Sequence, residues 1–130
     1  MENLKDGYSV PARKQGVKRY CQMLELVDDA EKIAQYCKLH ESDKIWKEIP
    51  EGLRQVGVLD MEIYILGNKS FMIMETVEDF DWDEAFSKLA TLPRQIEWED
   101  TVGVFQNGRP GAHSEEKWSL MRRMFKLPQY

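Results

Sequence analysis

An α+β domain with a split βαβ chain order is what this sequence predicts, and three observations carry that expectation. Two runs rich in β-formers, Val58–Leu66 and Lys69–Thr76, flank Gly67-Asn68, a two-residue turn signal that reads as a β-hairpin. Before the hairpin, an apolar run of strand length leads into a helical pattern. After it, two helical patterns lead into another run of strand length. At 130 residues there is room for one core, and folding a chain of that size buries roughly two thirds of its unfolded surface.

Taken in order, residues 1–16 are polar and carry Gly7, Pro11 and Gly16, so they read as a flexible N-terminal arm, with a single domain expected over 17–130. Val17–Leu26 is the first strand. Asp28-Asp29 then offers an N-cap for a helix running to His40. The helical pattern resumes at Ile45, Trp46, Ile49, Leu53 and Val56, with Pro50 suited to the first position of a new helix and Gly57 to its end. Beyond the hairpin, Asp79 or Asp81 can cap a helix with the stripe Trp82, Ala85, Phe86 and Leu89, and Pro93 can open another with Trp98, Val102 and Phe105 on one side. A flexible 106–117 stretch follows, and Trp118–Leu127 reads as the last strand. This order is that of ferredoxin-like domains. Helices would cover one sheet face, and the other, partly apolar, would need a partner sheet or a ligand, so a face-to-face dimer is its natural completion.

Composition narrows the function classes. Hydrophobic residues at 42% and charged ones at 32% describe a globular chain, and no apolar run approaches the length that spans a bilayer. The N-terminal residues have neither a basic start nor an apolar core of a secretory signal, so a cytoplasmic protein is expected. A net charge of −5 with acids and bases interspersed argues against nucleic acid or an anionic membrane as partner. Cys21 and Cys37 belong to no metal-ligand spacing, and both read as reduced, semi-buried thiols; neither a metal nor a cofactor is expected. His113, in a Gly/Pro-rich segment, reads as a solvated loop histidine.

Chemistry concentrates on Tyr36 and His40, four residues apart on the first helix, so both leave the same helical face. Ile33, Tyr36, Cys37 and His40 also have the spacing of an ordinary apolar stripe, and a purely structural role is the competing reading. An imidazole exchanges protons near neutral pH, and an aromatic hydroxyl beside it suits a neutral, hydroxylated ligand.

Beyond this pair, Tyr36-Cys-Lys-Leu-His40, then Ile45-Trp46 and Glu48-Ile-Pro-Glu-Gly-Leu53, resemble the helical signature of the L-rhamnose mutarotase family. Leu59–Leu66, Phe71–Glu75 and Leu92-Pro-Arg-Gln-Ile-Glu-Trp98 resemble that family's hairpin and Trp-bearing helix in the same order, and Phe125–Pro128 its ending. The arm and the 107–117 insert lie outside the resemblance. It implies a dimeric α+β barrel that interconverts the anomers of a 6-deoxy-L-hexose without a cofactor. By that resemblance His40 is the catalytic proton donor, Tyr36 a substrate contact and Trp98 one of two adjacent tryptophans lining the sugar site.

Two positions depart from the family pattern: Met61 stands where a tyrosine is usual, and Glu97 where the first tryptophan is usual. Both are counted with the substrate-binding residues, Glu97 as a carboxylate that would accept from sugar hydroxyls. L-Rhamnose is the default substrate and L-fucose its competitor. Strand alternation puts Met61 with Leu59, Ile63 and Ile65, and Asp60, Glu62 and Tyr64 on the other face; the resemblance favours the Met61 side. Ring opening needs one proton delivered and one removed, so a second group must complement His40, with Tyr36, Glu62, Glu97 or a water as candidates. Trp46 and Tyr64 are possible further walls. The rival functions are an oxygenase, cofactor-independent or haem-handling, and a non-catalytic sugar-binding protein, since one fold hosts many activities.

Overall fold

The computed structural model describes residues 3–10, 16–107 and 113–128. Nine-residue strands β2 (Val17–Glu25) and β4 (Lys69–Val77) run antiparallel at the centre of the sheet, in register from Val17 opposite Val77 to Glu25 opposite Lys69. Strand β3 (Val58–Leu66) pairs with the other edge of β4 through the hairpin that Gly67-Asn68 turns. Gly67 sits at φ +58, in the left-handed region where a side chain is disfavoured.

The outer edge of β2 is shared by two short strands, β1 (Tyr8–Ser9) opposite Lys18 and Arg19, and β5 (Ser119–Leu120) opposite Gln22 and Met23. The order β5-β2-β4-β3 is that of a split βαβ domain, and the fold is of the expected ferredoxin-like α+β type. Two details differ from the sequence reading. The last strand holds only Ser119 and Leu120, and residues 121–128 continue without regular structure. Ahead of Val17 the chain is not uniformly loose: Leu4–Asp6 form a 3-10 turn and β1 joins the sheet. The rest of the expected flexible arm, 1–2 and 11–15, and of the insert, 108–112, lies outside the described residues.

That N-terminal segment is held by Tyr20, whose hydroxyl donates to the Lys5 carbonyl at 2.6 Å. Gly7 permits the approach, because at φ +70 a Cβ there would lie 2.8 Å from the Tyr20 ring. Tyr20 is 1% exposed, and burial, with Asp6 and Asp81 nearby, pushes its phenol up to about 12.

Helices form where the caps predict. Asp29 accepts from the amides of Glu31 and Lys32 to start α1 (Ala30–Leu39), and Asp81 accepts from Glu84 to start α3 (Trp82–Leu89). Between them, α2 (Glu48–Gln55) opens two residues ahead of Pro50 and closes before Gly57, which takes φ +105. Helix α4 (Gln95–Gly103) starts after Arg94, whose backbone is left-handed, and a single turn, α5 (Ser114–Lys117), precedes β5. The stripe Trp82, Ala85, Phe86 and Leu89 is buried. It packs with Tyr20, Leu24, Met72, Met74 and Trp98 in one continuous core between helices and sheet. The opposite face carries Arg19, Cys21, Phe71 and Glu75, with Arg19 and Glu75 paired across β2 and β4 at 2.8 Å. No helix among the described residues is long and apolar enough to cross a membrane.

Candidate functional site

Helix α1 ends on the residue of greatest chemical interest. His40 is its C-cap, and its Nδ1 lies 2.8 Å from the Tyr36 carbonyl one turn back. A carbonyl only accepts, so Nδ1 carries the proton and Nε2 of the neutral ring is left as the basic atom. Burial holds His40 below its ordinary 6.5, opposed by that backbone hydrogen bond. The ring is wedged among aromatics, 4.5 Å from Tyr36 and 5.2 Å from Trp98 between centroids. Trp46 continues the cluster 5.3 Å from Trp98, and the Arg94 guanidinium sits 3.8 Å above the Trp46 ring.

This cluster closes one side of a cavity of about 90 Å³ between the sheet and helices α1, α2 and α4. On a scale where one water needs about 10–15 Å³, it has room for several waters or part of a small ligand. Tyr36, His40, Met61 and Trp98 all line it, with Ile63, Met72 and Met74 from the sheet. A wider cleft of about 320 Å³ shares His40, Ile45, Leu53, Met61 and Ile63 and adds Arg54, Leu59 and Asp60. His40 thus stands where the inner cavity meets the wider cleft, and the combined size suits a small-molecule site. The Met61 and Ile63 side of β3 faces the ligand space.

Glu97 is placed differently. Its side chain is 61% exposed and pairs with Arg94 at 3.1 Å, and it lines neither cavity. The helical phase explains this: Gln95, Trp98, Glu99 and Val102 are the buried residues of α4, an i, i+3, i+4, i+7 stripe, and Glu97 falls off it. Its reach to the site is indirect, through Arg94 and Trp46. Glu62 and Tyr64 are exposed on the other side of β3, so of the side chains weighed as a second proton carrier only Tyr36 borders the cavity.

Tyr36 is 3% exposed, and burial raises its phenol above the usual 10.0, against the hydrogen bond from Gln106. Gln106 Nε2 donates to the Tyr36 hydroxyl at 3.2 Å. That bond fills an acceptor site on the oxygen and leaves its O–H to donate elsewhere. Gln106 reaches this position because residues 105–107 run beside the end of β2: Val27 N donates to the Phe105 carbonyl and Asn107 N to the Glu25 carbonyl, each at 2.9 Å.

Four polar residues of the cavity wall escape the sequence reading: Gln22, Gln95, Gln106 and Glu115. Gln22 donates to the Met72 sulfur at 3.2 Å, and its place between Tyr20 and Leu24 on the inward face of β2 was a usable signal. Gln95 Nε2 donates to Glu99 Oε2 at 2.8 Å, and His113 Nδ1 meets Glu99 Oε1 at 3.1 Å. His113 is therefore tied to a buried carboxylate, unlike the solvated loop histidine expected, and that partner raises it above its usual 6.5. Glu115 is half-buried, and burial pushes its carboxyl up. Gln95 Oε1 and Gln106 Oε1 are buried with no hydrogen-bond partner.

Comparison with known proteins fixes the family. The family model for L-rhamnose mutarotase matches residues 19–127. The chain belongs to the L-rhamnose mutarotase family. That membership supports an isomerase-type enzyme that interconverts sugar anomers. The L-fucose mutarotase of Xanthomonas campestris pv. campestris is 35% identical over 113 residues, covering 87% of this chain and 90% of its own. A UPF0734 protein of Dictyostelium discoideum is 37% identical over 114 residues, covering 85% and 90%. Among solved structures, the L-rhamnose mutarotase of Formosa agariphila aligns at TM-score 0.63 with 18% identity, over 85% of this chain and 99% of that one. Tetracenomycin F2 cyclase of Streptomyces glaucescens aligns at TM-score 0.51 with 16% identity, over 85% and 98%. At those identities the two structures speak for the fold alone, and a polyketide cyclase beside a mutarotase illustrates that this mutarotase-family fold carries more than one chemistry.

Proposed function

We propose that this mutarotase-family enzyme interconverts the α and β anomers of a 6-deoxy-L-hexose, L-rhamnose or L-fucose, with His40 and Tyr36 as the proton carriers. The observation that carries the reading is the locked imidazole: Nδ1 committed to the Tyr36 carbonyl and the ring at the wall of a cavity that Tyr36 also borders. Neutral His40 takes the proton from the anomeric hydroxyl through Nε2, while the Tyr36 O–H gives its proton to the ring oxygen. The bond between C1 and the ring oxygen breaks and the C1 carbonyl forms. After rotation about C1–C2, the same hydroxyl closes on the other face of the carbonyl. Tyr36 takes its proton back, and the imidazolium returns its own to the anomeric oxygen.

His40 is therefore acceptor on opening and donor on closure, the donor role that the family resemblance assigns. The Gln106 N–H beside the Tyr36 oxygen steadies the charge that develops there. Trp98 and Met61 supply the apolar wall for the C–H face of the sugar. Positioned acid–base groups contribute about 100- to 10,000-fold, a useful factor for a reaction that already proceeds slowly in water.

We place the enzyme in the reducing cytoplasm, a reading supported by two free thiols, Cys21 and Cys37. We also read it as a homodimer joined through the uncovered sheet face, where Tyr64, Met124, Phe125 and Leu127 expose apolar surface. Saturation-transfer NMR of the anomeric protons tests the activity. Wild-type protein is expected to accelerate exchange of one or both sugars, and His40→Ala to lose the acceleration with an unchanged circular dichroism spectrum. Uncatalysed rates for both sugars with wild-type protein would end the mutarotase reading.

A further inference from the structure

We propose that the carboxamide oxygens of Gln95 and Gln106 are the acceptors that hold two sugar hydroxyls in the cavity, and that they set which 6-deoxy-L-hexose is preferred. The inference rests on the mutarotase reading and names the residues that would give it specificity.

Both glutamines border the cavity and are almost wholly buried, Gln95 4% and Gln106 8% exposed. Each has committed its Nε2, Gln95 to Glu99 and Gln106 to the Tyr36 hydroxyl, and each leaves Oε1 without a donor. The Gln95 amide cannot turn over, because a carboxylate offers only acceptors and must face the NH2 end. Glu99 is itself fixed: it is 3% exposed, and His113 occupies its other oxygen. Glu99 is thus a positioning residue that aims Gln95.

Buried polar atoms in native folds nearly always find partners, and an unpaired acceptor on a side chain that borders a cavity is open to a donor brought by a bound molecule. The rest of the wall is mostly apolar, with Ile49, Met72 and Val102 among it. Two buried acceptors, the one on Gln95 fixed by its carboxylate, in an apolar and aromatic surround match a polyol ring with hydroxyls on its rim and C–H groups on its face. A haem or an apolar ligand would leave both oxygens unpaired. L-Rhamnose and L-fucose differ in configuration at C2 and C4, so two acceptors set apart in the wall can tell them apart.

The test uses the full-length protein, L-rhamnose, L-fucose and the 2-deoxy and 4-deoxy analogues of the preferred sugar, with KM and kcat for anomer exchange read by NMR. Wild-type protein is expected to bind at least one deoxy analogue about 10- to 100-fold more weakly, since a site built around a hydroxyl penalises its loss. Gln95→Met is expected to raise KM for the preferred sugar by a similar factor, leave kcat and its pH profile in place, and flatten the preference between the two sugars. Gln106→Met should also lower kcat, because it releases the Tyr36 hydroxyl. Equal KM values for the parent and both deoxy sugars with wild-type protein would overturn the inference without any variant having to fold. A folded Gln95→Met with wild-type KM and preference would overturn it for that residue. If wild-type protein accelerates neither sugar, the mutarotase reading has failed and takes this inference with it.

Discussion

Replacing Tyr36 by Phe removes one oxygen and separates two roles of the same side chain. The ring keeps its contacts, 4.5 Å to His40 and 6.1 Å to Phe105 between centroids. His40 also keeps its anchor, since Nδ1 bonds the backbone carbonyl of residue 36. What disappears is the acceptor for Gln106 Nε2. As Gln106 Oε1 is already unpaired, the whole carboxamide is then stranded in a site that is 8% exposed. A buried polar group deprived of its partner costs about 1–3 kcal/mol, or roughly 3–15 °C in melting temperature for a domain of this size. If the hydroxyl is the proton donor to the ring oxygen, exchange should fall by about 100- to 10,000-fold besides. Thermal denaturation and saturation-transfer NMR on the same sample read the two effects apart. A stable Tyr36→Phe protein with wild-type exchange would refute the assignment of Tyr36 as proton carrier, and an unchanged melting temperature would refute the account of Gln106.

The pH profile distinguishes Tyr36 from Glu115 as His40's complement. With His40 as base and its pKa held below 6.5 by burial, kcat/KM should rise with pH through that lowered value and stay level through neutrality, because the Tyr36 phenol titrates above 10.0. If the Glu115 carboxyl, pushed up by burial, were the acid, its loss of a proton would make the rate fall again well below the range where a tyrosine titrates, and such a fall would remove Tyr36 from the role. Gly7→Ala should destabilise the fold by about 1–3 kcal/mol, because φ +70 and a Cβ 2.8 Å from the Tyr20 ring combine strain with a clash; an unchanged denaturation midpoint would contradict the docking of the N-terminal segment. Light scattering at micromolar concentration should give twice the monomer mass of 15.3 kDa, and a monomer would remove the proposed dimer.

The elements legible in the sequence are those whose signals are local. Gly67-Asn68 announces the hairpin, and Asp29 and Asp81 announce two helices, because a turn and a cap depend on residues at most four apart. Strand β1 is two residues long, too short for any periodicity to show, and it exists through pairing with β2. The site divides the same way. Tyr36 and His40 share a helical turn and were visible as a pair. Gln106 is 70 residues from the hydroxyl it meets, and nothing local marks it. Gln95 and Glu99 were visible in principle: two polar residues within the stripe that holds Trp98 signal a polar buried surface, whereas reading outward from Trp98 to its neighbour Glu97 picks the solvent side of the helix.

Strand β2 has one edge covered by β4 over its whole length and the other covered in two pieces, one from each end of the chain. An unpaired strand edge is a template for adding strands from other molecules. The segments carrying β1 and β5 therefore work as guards against edge-to-edge strand addition, and they brace each other where the Arg123 amide donates to the Tyr8 hydroxyl at 2.7 Å. Trimming either end would open about half of that edge and loosen the guard on the other half. The C-terminal guard also touches the proposed chemistry, since Trp118 immediately before β5 and Gln22 opposite Leu120 both line the cavity.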